Sequence, residues 1–301
     1  MMRYSIILLL AASAAMVIIA HSYSLKISSV DGDLLVNMTF THNDSVVALT
    51  EDICKEYDSE FCFGVQDKMS SSLYNVYYTP MLPHATVEDY YMTRTGIIRY
   101  LAEQYDFQTY LEIGCGKNFS FTTLAPYFSK EAVCVDPFSG GTHRLTSDAF
   151  FAVNKNKYDV IFIDGLHDAV QVLKDVDNAL KVLSDDGVIL IHDCHPHARS
   201  HQLHMDSPDL SLNIWTGDVW KAMVLLKLEP HIDMITGDFD HGVGFIRKRK
   251  NKSSLPPALV EYLLSLVNPL NVISQLSFDM LAQNRIEILS LRTVADVKSW
   301  L

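Results

Sequence analysis

The chain is short of positive charge. Against 36 Asp and Glu it carries 24 Lys and Arg, a formal net charge of −12. A chain without a basic face does not hold a phosphate backbone, so nucleic acid is excluded as a general partner. The one basic run, Arg247 to Lys250 with Lys252, reads as a solvated strand end. The five cysteines form no CxxC pair and no zinc-finger spacing. Internal repeats and low-complexity tracts are missing as well, which removes repeat solenoids from consideration. Also lacking is an uninterrupted apolar run of the roughly 20 residues that a comfortable membrane span needs. What is present is a composition 49% hydrophobic and 20% charged, enough apolar material for a sizeable core in 301 residues.

The N-terminus reads as a targeting segment. Arg3 precedes an almost purely apolar run from Ile6 to Ala20, followed by small and polar residues. That is the pattern of a secretory signal, or of a short anchor accommodated by tilt and thinning, over residues 1–22. Either reading sends the rest of the chain into the secretory pathway, secreted or luminal, with membrane contact only through this segment. Residues 25–63 read as a small strand–helix unit. Cys54 and Cys62 lie close enough in sequence to pair in an oxidising compartment. Cys115, Cys134 and Cys194 fall on or beside core strands and read as free buried thiols. Asn37, Asn43 and Asn251 stand in acceptor patterns for N-linked sugar. Asn118 does too, but at a turn where folding would occlude it. Residues 64–86, with a serine cluster and two prolines, read as a linker.

From residue 87 to 250 the pattern is α/β. Apolar runs rich in Val, Ile and Leu, read as strands at 109–114, 132–136, 158–165 and 187–193, alternate with amphipathic helical stretches, as in a mostly parallel sheet with helices on both faces. "HIDMITG" and "VGFIRK", separated only by "DFDHG", are too close to be anything but an antiparallel hairpin. Residues 251–301 read as a C-terminal helical extension, an addition of two or three amphipathic stretches that packs on the domain. A Rossmann-like parallel sheet finished by an antiparallel hairpin resembles the class I S-adenosylmethionine-dependent methyltransferases.

The first strand of that sheet ends in Glu112-Ile113-Gly114-Cys115-Gly116. Ligands of open parallel sheets bind at such carboxyl ends, and glycines there let backbone approach a ligand. Asp136 ends the next strand, placed to accept hydrogen bonds from ribose hydroxyls. The third glycine of the dinucleotide fingerprint is replaced near Asn118. That disfavours an NAD-linked oxidoreductase and leaves S-adenosylmethionine, which has no pyrophosphate, as the cofactor. The resemblance adds Ser147 and Asp148 beside the adenine. Ser147 is also a candidate helix N-cap.

"FIDGLHD" (162–168) and "LIHDCHPH" (190–197) end adjacent strands and bring Asp164 and Asp193 to one rim. Two carboxylates that close call for a positive charge between them, most simply Mg²⁺ or Mn²⁺. Here the chain is similar to metal-dependent sugar O-methyltransferases. The resemblance implies Asp164 and Asp193 as metal ligands, with His192 where the family often has an acid, and His167 as general base. Asp164 also borders the cofactor. The implied reaction is metal-assisted methylation of a hydroxyl on a small molecule or glycan. The alternative is an inactive interaction module on the same scaffold. His195, His197, His201 and His204 have the spacing for a second metal site if helical. "WTGDVWKAMV" (215–224) looks typical of the family without an assignable role.

Overall fold

The computed structural model describes residues 5–9, 22–28, 34–41, 80–86, 88–89, 92–116, 119–205, 207, 215–249 and 269–301. Cys54, Cys62, Asn43, Asn118 and Asn251 lie outside these residues. The chain forms two compact units, Met1–Tyr77 and Tyr78–Leu301. In the first unit, β1 (Ser5–Leu9), β2 (Ser22–Ser28) and β3 (Leu34–Thr41) form an antiparallel sheet in that order. Asn37 lies on β3, opposite Lys26. Ser5–Leu9, part of the expected targeting segment, is thus a strand paired with β2. Among the described residues no helix is long and apolar enough to cross a membrane.

The second unit begins before the expected boundary at 87. Leu82 is buried in the core, and the N–H groups of Met81 and Leu82 donate to Asp238 at 2.6 and 2.8 Å. The stretch 80–86, read as the end of a linker, is therefore docked on the domain. Helix α1 (Arg94–Tyr105) starts where the Thr93 side chain accepts the Gly96 N–H. There follow β4 (Thr109–Ile113), α2 (Phe119–Leu124), β5 (Glu131–Val135), α3 (Ser147–Val153), β6 (Tyr158–Ile163), α4 (Ala169–Val182) and β7 (Leu183–Ile191). Then come α5 (Val219–Leu226), β8 (Ile232–Gly237) and β9 (Val243–Lys248). The chain closes with α6 (Pro269–Gln275), α7 (Phe278–Leu289), β10 (Leu291–Arg292) and α8 (Val294–Trp300).

The seven strands lie in the order β10-β8-β9-β7-β6-β4-β5. Only β9 runs antiparallel to its neighbours, β7 and β8. The β8–β9 hairpin expected from the short "DFDHG" connection is present. The two-residue edge strand β10, parallel to β8, is a further strand within the residues expected to form a helical extension.

Period-two alternation places residues of each strand in two cores. Leu111, Ile113, Ile161, Ile163, Ile189 and Ile191 face a core that includes Val172 and Val176 of α4 and Trp220 of α5. Tyr110, Val160, Phe162, Val188 and Leu190 face another with Ile97, Ile98 and Leu101 of α1 and Val294 and Val297 of α8. A sheet apolar on both faces must be covered on both, as the unbroken aliphatic runs require. The carboxyl ends of β4, β6 and β7 consequently share one rim.

Candidate active site

The β4 tip makes the first half of the site. The two glycines there do different things. Gly114 has φ +92°, and a Cβ on it would lie 2.2 Å from the Asp164 carbonyl oxygen. It is glycine because the β4 and β6 tips press together, with Asp164 N–H donating to Ile113 O at 2.8 Å. Gly116 has φ +49° with open space where a Cβ would be. Only Gly116 has the clearance expected of a ligand-facing turn.

Asp136 holds this turn. Its carboxylate accepts N–H from Gly116 at 3.0 Å, Phe138 at 2.8 Å and Ser139 at 2.9 Å. Burial would raise its pKa, but these three donors together lower it below the usual carboxylate value. Most of its lone-pair capacity is thus spent on the loop. Glu112 points the other way. It is 2% exposed and accepts the Tyr110 hydroxyl at 2.7 Å, and burial pushes its pKa up to about 8. Ser147 is not a cap, since the Thr146 side chain caps α3. Ser147 and Asp148 instead meet the Gln171 amide, each at 3.3 Å.

Two of the three cysteines read as free thiols are joined: Cys115 of the turn and Cys134 of β5 form a disulfide. Parallel register brings the two strand ends together, with Glu112 opposite Cys134, a pairing not visible along the sequence. Cys194 is free and buried.

The tips of β6 and β7 make the second half. Asp164, His167 and Asp193 present ligand atoms within 4.8 Å of one another, the one such group of three among the described residues. His167 Nε2 is 3.4 Å from Asp164 Oδ1, and its Nδ1 is 3.3 Å from Asp193 Oδ2. His192 Nδ1 lies 3.3 Å from Asp164 Oδ1 and 3.2 Å from Asp193 Oδ2. Its Nε2 is 2.9 Å from the Asp240 carbonyl oxygen, so the ring donates there and turns Nδ1 toward the acids. His167 does not cap α4. The Asp168 side chain does, accepting the Gln171 N–H.

Charge in this cluster is balanced within the protein. Burial would raise the Asp164 carboxyl, but His192, His167 and Arg94 together hold it well below the usual range. Asp193 is lowered against burial by His192 and His167. Burial would lower both imidazoles, yet Asp193 and Asp164 raise His167, and Asp193, Asp164 and Asp240 raise His192 well above its ordinary value.

Arg94 and Asp240 were not found from the sequence. The Arg94 side chain is 3.8 Å from Asp164 and 3.2 Å from Asp240, whose carboxylate also accepts the Arg94 backbone N–H at 2.6 Å. A lone arginine at a helix start and an acid in a hairpin turn carry no signal of their own. Only the sheet order, which sets the β8–β9 turn beside β7, unites them.

The histidines after β7 do not form a second metal group among the described residues. His195 is fully buried, with Nδ1 3.2 Å from Asp238 Oδ1, and His197 packs edge-on against it at 4.7 Å. Arg199–Gln202 is a 3₁₀ turn, so the helical spacing does not arise.

A family model described as a methyltransferase domain matches residues 132–194, from β5 through the second acid. No curated protein matches. Among solved structures, the chain is similar to the SAH-bound methyltransferase PaMTH1 of Podospora anserina, at 18% identity and TM-score 0.42 over 64% of this chain and 97% of that one. It is similar also to a putative caffeoyl-CoA O-methyltransferase from Staphylococcus aureus, at 15% identity and TM-score 0.43 over 68% and 99%. A third likeness is to TomG of Streptomyces achromogenes, an O-methyltransferase solved with SAM, at 13% identity and TM-score 0.38 over 68% and 90%. In its sheet, and in residues 132–194 by the family match, the chain resembles the class I S-adenosylmethionine-dependent methyltransferases.

Proposed function

We propose that this protein is an S-adenosylmethionine-dependent O-methyltransferase that uses a divalent cation, Mg²⁺ or Mn²⁺, to methylate a hydroxyl on a small molecule or glycan. The observation that carries the reading is the convergence of Asp164, Asp193, His192 and His167 on the rim against which Gly114 packs. Donor turn and reactive cluster share one edge of the sheet.

The donor atoms fit a cation. Bonds of about 2.0–2.2 Å set neighbouring ligand atoms about 3 Å apart, and His192 Nδ1 lies 3.3 and 3.2 Å from the Asp164 and Asp193 carboxylates. Asp164, Asp193 and His192 Nδ1 would hold the ion. When bound, it would supply Lewis acidity that lowers the pKa of an acceptor hydroxyl.

The protein's own groups do the rest. Gly116 and the loop held by Asp136 border the donor. His167 takes the acceptor proton as the oxygen attacks the methyl carbon and the carbon–sulfur bond breaks, leaving a neutral thioether. Holding donor and acceptor in line supplies most of the remaining acceleration. We place the protein in the secretory pathway, on the apolar segment after Arg3 and on the Cys115–Cys134 disulfide, which suits an oxidising compartment.

Calorimetry with S-adenosylmethionine is the first test. Micromolar to low-millimolar binding is expected, and its absence would remove the enzyme reading. Electron paramagnetic resonance of added Mn²⁺ should show binding that Asp164→Asn and Asp193→Asn each weaken at least tenfold.

A further inference from the structure

The segment Trp215-Thr216-Gly217-Asp218 has no part in the chemistry above, yet it grips the turn that carries His167. The Trp215 indole stacks on the His167 imidazole, with ring centres 4.7 Å apart and planes inclined by 21°. Gly217 has φ +58°, and a Cβ on it would stand 1.9 Å from the His167 carbonyl oxygen, so no other residue fits there. The Asp218 N–H donates to that same carbonyl at 3.2 Å, and the Asp218 carboxylate accepts the Ala169 N–H at 2.8 Å.

The other side of the segment is tied to the loop after β7. The indole N–H of Trp215 donates to Leu203 O at 2.7 Å. The N–H groups of Thr216 and Gly217 both donate to His201 O, at 2.8 and 3.1 Å. These contacts lock a short strip between the 199–203 loop and the His167 turn.

His167 needs such a constraint. Its two nitrogens look at two carboxylates, but Nδ1 makes no hydrogen bond, so directional bonding does not fix the ring at that atom. A flat indole face, itself fixed through Leu203 O, restricts rotation about the imidazole's last torsion. The same face favours a positive charge on the ring, as His167 would carry after taking a proton.

We propose that Trp215 is a positioning residue for His167, setting the imidazole plane so that Nε2 faces Asp164 and Nδ1 faces Asp193. The catalytic meaning of that role rests on the methyltransferase reading above, whereas the ring geometry does not. Proton NMR of the His167 ring, assigned by its loss in His167→Gln, tests it without an acceptor. Wild-type ring protons should be shifted upfield by the stacked indole. Trp215→Leu should remove the shift and raise the rate of His167 modification by diethylpyrocarbonate several-fold. Trp215→Phe should restore part of the shift and most of the protection. S-adenosylmethionine affinity should stay within twofold in both variants, which separates loss of ring orientation from loss of fold. Unshifted ring protons in the wild type, or an unchanged modification rate in Trp215→Leu, overturns the proposal. Absence of S-adenosylmethionine binding in the wild type tells against the methyltransferase reading and leaves the ring result to decide the positioning role.

Discussion

At the scale of single residues, the site is dominated by charges that the protein pairs for itself. Arg94 neutralises Asp164 and Asp240, the latter almost wholly buried. Removing one member of such a set strands the others in a low-dielectric interior. Arg94→Met should therefore lower unfolding stability by about 2 kcal/mol or more, read from urea denaturation. Glu112 makes a different prediction. Its pKa is near 8 when folded, against 4.5 ordinarily. Across that window the folded chain keeps a proton that the unfolded chain has released. Stability contributed by Glu112 is thus full at low pH and falls as pH rises toward 8, by at most about 1.4 kcal/mol per pH unit. Glu112→Gln should flatten this limb of the stability profile. If wild type and variant fall in parallel between pH 5 and 8, the buried, proton-bearing Glu112 is the wrong picture.

Much of the site was legible at this scale because its chemistry is concentrated in two short strings. "FIDGLHD" and "LIHDCHPH" each end an apolar run in a cluster of acids and imidazoles. Glu112 and Asp136 were also legible as positions, but not as conformations. Whether a carboxylate faces a ligand or the protein's own N–H groups depends on loop backbone, and Asp136 turned out to hold its loop. Cys115 and Cys134 were misread for a related reason. Their proximity comes from strand register, which no local pattern encodes.

At the scale of elements, the β4 turn separates two kinds of glycine. Gly114→Ala places a methyl group against the β6 backbone and keeps a left-handed φ, so it should cost about 3 kcal/mol or more. Gly116→Ala meets nothing and should cost only about 1 kcal/mol of backbone strain. Differential scanning calorimetry of the two variants distinguishes these. Equal melting temperatures would contradict the close β4–β6 approach. The helices and strands of the sheet were readable from periodicity, whereas β10 was not. Two residues are too few to show alternation, and Leu291 and Arg292 become a strand only because β8 offers an open edge.

For the whole molecule, the C-terminal residues are part of the domain rather than an appendage. The Thr293 and Asp296 side chains form a reciprocal cap at the start of α8. Val294 and Val297 are fully buried against the sheet, and the Arg247 guanidinium lies 4.0 Å from the Trp300 ring centre. Each buried aliphatic side chain contributes roughly 1.5–3 kcal/mol. Truncation at Ser290 should therefore lower the melting temperature by roughly 10 °C and expose a dye-binding apolar face. A truncated protein that melts with the intact one would show that these contacts contribute little.

The placement of β9 has a consequence for how the protein is made. It is the sixth strand of this unit to leave the ribosome, yet it sits between β7 and β8 in the interior of the sheet. Until Lys248 has emerged, β7 keeps one unpaired flank, and Asp240 is not yet in place beside His192. Between the emergence of Ile191 and that of Lys248 the nascent chain therefore carries an apolar strand edge uncovered, and misassembly during translation has its opening in that interval.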